Sequence, residues 1–575
     1  MKNLTKLFLL IATSATVLVS DCIGQSTYSQ VYSILNSATC GSGNNSCHSS
    51  SGPSTLDFSA TEQNVFNQLY YQPPTNTEAE SKGDMLVLPG NPYRSFLFKK
   101  VNHSLAPEVS LSGNEGDNMP PSSSLSERDR ELIRQWIIYG APQSGIVVDM
   151  DIIDNYYTNG GIESVTNPPS PPGPGEGYQL HLGPTFLPPL GESPEGGDYS
   201  RFDMNFPDTV EAIKVEAFAG DGVHHTSLFV YNSESGIPNV PYGAVSRFEI
   251  GLTGLDLEIL ANFQQAEDAL ELPSGAAFQL PKNSPLIFNS HYFNGSQSLV
   301  RKCENYLNVY TQPKHTAAQI LKFGPHTYTS NPINNNPPLY IPADEQPYTF
   351  QEFQFDPGSN EVRYIWAMIA HVHEHCVGYK VYKRNPDGAV GEPMADVSCI
   401  EAIPGCSFPS FDPWHIPTRY FETFEKINMS DGFFHQGTYV NHTGEPITAG
   451  PSAFGQEMMV FGYYYVSDTT GVDIGAVNPS GVTDQNTSPR PTVTVFPNPV
   501  SNWLNITLQN NINNSDVAIE IFTATGKRIF QTQRTFSETI VINTADLIGP
   551  GIYLVKVRFD NETVVTKRVV LVDLD

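Results

Sequence analysis

Charge is what this sequence has least of. Only 16% of its 575 residues are Asp, Glu, Lys or Arg, and 31 basic side chains stand against 60 acidic ones, a formal net charge of -29. No basic stripe is available to displace phosphate counterions, which excludes nucleic acid as a partner. Long apolar runs are missing too. Beyond the N-terminus no stretch reaches eighteen continuous apolar residues, so nothing reads as a transmembrane segment. Cysteine is scarce, at seven residues, and tryptophan scarcer, at four. In place of these the chain has 27 Tyr, 32 Phe, 45 Gly and 46 Pro. A weakly charged, turn-rich, aromatic composition reads as mainly β and extracytoplasmic. At this length three or four domains are expected.

The first residues agree with export. "MKNLTKLFLLIATSATVLVS" carries Lys2 and Lys6 before an apolar run too short to span a membrane, so residues 1–24 read as a signal peptide. Cleavage after Gly24 leaves Gln25 first. Cys22 offers a lipoprotein alternative, which Asp21 disfavours. Without Cys22 six cysteines remain (Cys40, Cys47, Cys303, Cys376, Cys399 and Cys406), an even number consistent with disulfides of undetermined pairing.

Two linkers divide the mature chain. "VTNPPSPPGPGEGYQ" (Val165–Gln179) cannot hold a helix or a central strand, and "VNPSGVTDQNTSPRP" (Val477–Pro491) is polar and turn-rich. They predict a module over 25–145, a linker over 146–177, two halves of a large middle over 178–315 and 316–470, a second linker over 471–490 and a tail over 491–575. The first module alone has a helical pattern. Ser126 is placed to cap a helix in which Leu132, Ile133, Trp136 and Ile137 recur, and Gly140 with Pro142 ends it. The middle and the tail consist of short β-branched and aromatic runs bounded by turn residues, the pattern of antiparallel sandwiches.

The chemistry-bearing residues lie in the middle. "AHVHEHCVGY" (Ala370–Tyr379) spends three of the chain's 14 histidines within five positions. On a strand, His371 and His373 point to one face, as a transition metal requires, and His375 is left out of the pair. A pair of surface histidines is the ordinary alternative, and imidazole alone does not choose among zinc, copper and nickel. Further histidines sit in strand-like runs: His224 and His225 in "DGVHHTSLFVYN", His291 in "FNSHYFN". Met458 and Met459 open "MMVFGYYYV". Methionine there is ordinarily core, but beside two histidines a thioether favours Cu(I). His315, His326, His415, His435 and His442 read as loop or surface residues.

The order HH, HY, HxH, EM over about Tyr178–Val466 resembles the copper type II monooxygenases, which include peptidylglycine α-hydroxylating and dopamine β-monooxygenases. The resemblance implies two β-sandwich subdomains facing each other across a solvent cleft, with one copper ion on each. His224, His225 and His291 would hold the electron-transfer copper, and His371, His373 and Met458 the oxygen-activating one. Met459 stands where the family has a cysteine, and Glu374-His375-Cys376-Val377 before Gly378 departs from its pattern. The implied activity is hydroxylation of a C–H bond in a small-molecule or peptide substrate, with dioxygen and an external electron donor. A copper-binding or adhesive surface protein without turnover, and an enzyme of the same fold with another redox outcome, are the alternatives.

The stretch from about Tyr28 to Pro142 resembles c-type cytochrome-like domains. That implies a covalent haem on Cys40 and Cys47, with His48 proximal and Met119 distal (His103 the weaker distal candidate), on a flexible tether and able to feed electrons to the copper. Six residues separate the two cysteines where the attachment motif has two, and a haem-free relative with a Cys40–Cys47 disulfide is the alternative. From about Pro491 the chain resembles the type IX secretion sorting domain, through "VFPNPVSNWLNI", "IFTATGKRIF" and "DLIGPGIYLVKV". That implies dealings with the secretion machinery and a secreted or surface-attached product. The sequence thus predicts a mainly β protein: two copper-monooxygenase-type sandwiches after a small helical cytochrome c-like domain and before a small sorting sandwich.

Overall fold

The computed structural model describes residues 25–475 and the strands between 492 and 571, apart from the stretches 38–39, 42–46, 190–194, 232–242, 247–256, 330–335, 397–415 and some single positions. The signal-peptide expectation, Cys22, Cys399, Cys406, His415 and His442 lie outside the described residues. The described chain is mainly β and forms two compact units. One holds a helical module and two β-sandwiches; the other is the C-terminal sandwich.

The helical module is built on Thr27–Leu35, Glu62–Leu69, Phe96–Val101 and Glu127–Ile138. Ser26 and Ser126 cap the first and last, each side-chain oxygen accepting from the backbone N–H three residues on. Leu132, Ile133, Trp136 and Ile137 are buried to within 1%, the apolar stripe that the periodicity predicts. Gly140 ends the helix at φ 88°, where a side chain would be strained.

The module does not hang on a flexible tether. A further helix, Met150–Asn159, and a strand, Gly161–Glu163, occupy what the sequence marks as linker, and that strand pairs in parallel with Val300–Pro313 of the first sandwich. Even the proline-rich stretch is held: Gln179 donates to the Pro169 carbonyl and Asn308 to that of Ser170. Tyr93 of the module stacks on His181 at 4.1 Å, and His181 stacks on Tyr306 at 3.9 Å. Tyr93 and Gln135 donate to the carbonyls of Gly183 and Pro184, each at 2.8 Å. The fully buried Glu131–Arg134 pair and Tyr157, which donates to Glu131, fill the same seam.

The first sandwich pairs a seven-stranded sheet, centred on Val300–Pro313 and Val210–Phe218, with a five-stranded one. The five run Val245–Ser246, Glu195–Phe202, Leu286–Phe293, Val223–Tyr231, Leu257–Phe263 in order across the sheet. The second sandwich sets Lys322–Thr327, Met459–Val466, Val362–Val372 and Arg419–Asn428 against Pro347–Gln354, Phe433–Val440, Cys376–Arg384 and Val390–Asp396. The sandwiches are joined by packing. Trp366, Ala367, Tyr464 and Val466 of the second belong to the same buried cluster as Leu228, Leu260, Phe278 and Phe288 of the first. Tyr464 accepts from the Asn262 backbone N–H, and Gln264 donates to the Ala370 carbonyl at 2.6 Å. A solvent cleft between the halves, expected from the resemblance, is replaced along this seam by continuous core. The last turns, to Asp473, also belong to this unit, since Asp473 donates its N–H to Ser274.

The C-terminal unit is a sandwich of three strands (Thr492–Phe496, Trp503–Gln509, Thr539–Asn543) and four (Arg528–Thr535, Asp516–Thr523, Gly551–Phe559, Thr563–Leu571). Ile506, Ile519, Ile521 and Val555 are fully buried in its core.

Candidate metal centre

Five histidines from the two sandwiches meet at one end of the seam. Rings of His224, His225, His291, His371 and His373 approach one another with centroids 4.8 to 5.4 Å apart. The two ligand sets, expected one on each side of a cleft, are therefore a single cluster here. The nearest ring pair, His224 with His371 at 4.8 Å, joins the two sets. His224, His371 and His373 each offer a ligand nitrogen within 4.8 Å of one another.

Each position has a local cause. His225 and His291 are directly opposite in the antiparallel ladder and so share a face. His224 should point away from its neighbour, but the ladder steps from His291–His225 to Tyr292–Val223. His224 is the extra residue of a β-bulge, and the bulge turns it to the same side. Burial, then the four surrounding imidazoles, hold its pKa well below the usual histidine value. It is neutral at physiological pH, the state in which imidazole binds a metal.

In the second sandwich the strand ends at Val372, so His373 is placed by a turn rather than by strand alternation. Glu457 makes that turn. Its carboxylate accepts from the N–H of His373 at 3.1 Å, of His375 at 2.6 Å and of Met458. His373 Nδ1 meets the Gln456 carbonyl at 3.0 Å, which leaves Nε2 facing the cluster. Glu457 is fully buried, and burial pushes its pKa up to about 8 against the pull of those N–H donors. The sequence marks Glu457 only as the residue before Met458. Its role as anchor for His373 and His375 depends on a contact more than eighty residues away.

The register separates the two methionines. His371 pairs with Val460 and Val372 with Met459. Paired residues share a face, so Met458 lies on the side of His371 and Met459 on the side of Val372. Met459 is 1% exposed, and its sulfur lies 3.0 Å from where a Cβ on Gly437 would stand, inside the second sandwich. Met458 is half-buried at the strand entrance, its carbonyl accepting from Tyr439.

Other assignments change. His435 is no surface residue: it is fully buried, with Tyr379 Oη at 2.8 Å from Nδ1 and Glu352 beside it. His326 is half-buried and stacked on Phe461 and Tyr463, and burial takes its pKa down to about 4. His315 is exposed in a turn, as expected. His181, half-buried at the module seam, attracts no attention in the sequence. There burial raises the pKa of Glu304, but His181, Lys302 and Arg134 outweigh it and leave it at about 2.

Cys40 and Cys47, assigned to haem attachment, flank residues 42–46, which lie outside the described residues. Cys47 is an exposed thiol, so the Cys40–Cys47 disulfide is absent. His48 stacks on Phe58 at 4.7 Å, with the Leu56 backbone as its polar partner. Met119 sits in another loop, its N–H on the Lys100 carbonyl and its own carbonyl on His103 Nε2. In the histidine cluster borderline imidazole donors converge, with His224, His291 and His373 buried and His225 and His371 half-buried, a donor set that suits copper and equally zinc or nickel.

Residues 494–571 match the family of secretion system C-terminal sorting domains. The protein is accordingly secreted or held at the cell surface, with a tail that interacts with the type IX secretion machinery. Among the described residues no helix is long and apolar enough to cross a membrane. No curated protein matches the chain. Among solved structures it is similar to the BSP domain of a biofilm-associated protein (9% identity, 70% of this chain and 82% of that one, TM-score 0.14). It is also similar to the β-glucuronidase of Parabacteroides merdae (9%, 46% and 31%, TM-score 0.14) and to β-glucuronidase 3 of Bacteroides uniformis (9%, 46% and 30%, TM-score 0.13). The chain spans about a third of those glucuronidases, and likenesses at such TM-scores carry no functional argument.

Proposed function

We propose that this exported protein is a copper-dependent oxidoreductase that hydroxylates a C–H bond of a small molecule or peptide with dioxygen and two externally supplied electrons. The observation that supports the reading most is the meeting of His224, His225, His291, His371 and His373 from two sandwiches, with Met458 on the same side as His371. Copper bound there would supply dioxygen activation and one-electron transfer. The chain's own part is to present the imidazoles, the neutral His224 among them, to fix the His373 ring through Gln456, to hold its turn through Glu457 and to keep bulk water from the buried His224 and His291. Electrons come from an external donor in this reading, either directly or relayed by a haem on Cys40, Cys47, His48 and Met119.

A second reading, a surface protein that holds copper without turnover, draws support from the burial of the cluster: His224, His291 and His373 are at most 1% exposed. Oxygen uptake decides between them. Full-length protein loaded with Cu(II) and given a reductant should consume oxygen faster than the same copper free in buffer, and His371→Ala should abolish the excess. Copper binding without uptake selects the second reading. No copper binding ends both.

A further inference from the structure

The proposed function leaves open which side chains share an ion, and the geometry bears on that directly. Three ligands at metal–nitrogen distances of about 2.0–2.1 Å sit roughly 3.5 Å from one another. The nitrogens of His224, His371 and His373 are already within 4.8 Å of one another, little more than that spacing. His224 lies on Val223–Tyr231 of the first sandwich, whereas His371 is the last residue but one of Val362–Val372 of the second and His373 follows that strand. Resting on the reading of the cluster as a metal centre, we propose that in this closed arrangement one ion is held jointly by His224, His371 and His373 and latches the two sandwiches together.

Supporting features surround the three donors. The bulge that turns His224 inward exists only at that residue of the ladder. His373 is held on the opposite side by Gln456 and Glu457. Gln264 to Ala370 and Asn262 to Tyr464 fix the two sheets beside the donors. His225 and His291, paired with each other on the five-stranded sheet, stay outside the three-nitrogen set. An ion shared in this way makes metal binding and docking of the sandwiches one equilibrium, because the complete ligand set exists only when they are closed.

The test is titration of the metal-free full-length protein with Co(II), whose visible bands report the number and geometry of nitrogen ligands. The shared site predicts one tight ion per chain, weakened at least tenfold, about 1.4 kcal/mol, by His224→Ala and equally by His371→Ala, with His291→Ala and His225→Ala within threefold of the parent. His371 is half-exposed, so its variant folds even if removal of the buried His224 does not. Two independent ions, with His224→Ala and His291→Ala losing the same one and His371→Ala the other, would overturn the shared site and leave the proposed function standing. Absence of any bound ion in the parent would overturn both.

Discussion

Replacing Glu457 by glutamine isolates the anchor behind the metal centre. Above about pH 9, where Glu457 is ionised, its fully buried carboxylate accepts three backbone N–H groups, from His373, His375 and Met458. A glutamine keeps one oxygen and turns an NH2 group toward donors. At least one buried N–H loses its acceptor, and the new NH2 is itself buried without one. Each such orphan costs about 1–3 kcal/mol, so the two together should cost the 373–375 turn about 2–6 kcal/mol of local stability. A multidomain chain has no single unfolding free energy, so the loss should be read locally by hydrogen exchange. Amide protection at His373 and His375 should fall by at least about 30-fold, while helix Glu127–Ile138 keeps its protection. Copper affinity should fall with it, because the His373 ring is oriented from the same segment through Gln456. Protection unchanged within threefold would refute the assignment of Glu457 as the anchor.

The two adjacent methionines should separate cleanly. Met459→Ala opens a cavity in the second sandwich and should cost about 2–5 kcal/mol in thermal unfolding, whereas Met458→Ala should cost under about 1 kcal/mol yet weaken Cu(I) and suppress oxygen uptake; the reverse pattern means the register is off by one. Burial raises the pKa of the half-buried Asp268 to about 6, so the native state keeps a proton that the unfolded chain has released. Stability owed to this group is complete below about pH 4 and lost as pH rises through 6, and Asp268→Asn should raise stability at pH 7 by about 1 kcal/mol after allowance for exposure, with no gain at pH 4. At the module seam, Tyr93→Phe removes the hydroxyl that donates to Gly183 and should loosen the helical module by about 1 kcal/mol, seen as faster proteolysis ahead of Gly177. Truncation after Val477 should keep the protein from reaching the cell surface while leaving copper binding intact; surface display of the truncated chain would show that the sorting domain is dispensable.

Local pattern carried a great deal here. The Ser126 cap and the Leu132–Trp136 stripe define their helix because periodicity and capping act within a few residues. The sorting tail shows in its turn and strand blocks, and the aromatic runs of the middle announce sheets for the same reason. The residue types of the metal centre are also in the sequence: His224, His225, His291, His371, His373 and Met458 all face the shared cluster or lie on its side. What the sequence could not contain is their relation. That adjacent histidines face one way depends on a bulge against Leu286–Phe293. That His373 is held by Glu457 depends on strands far apart in the chain. That two expected ligand sets are one cluster depends on Trp366 and Tyr464 packing into the core of the other sandwich. The same long-range packing buries His435, orders the proline-rich stretch and seats the helical module through His181. Periodicity fixes which face of a strand a side chain takes; only the burial of one sheet against another decides what that face meets.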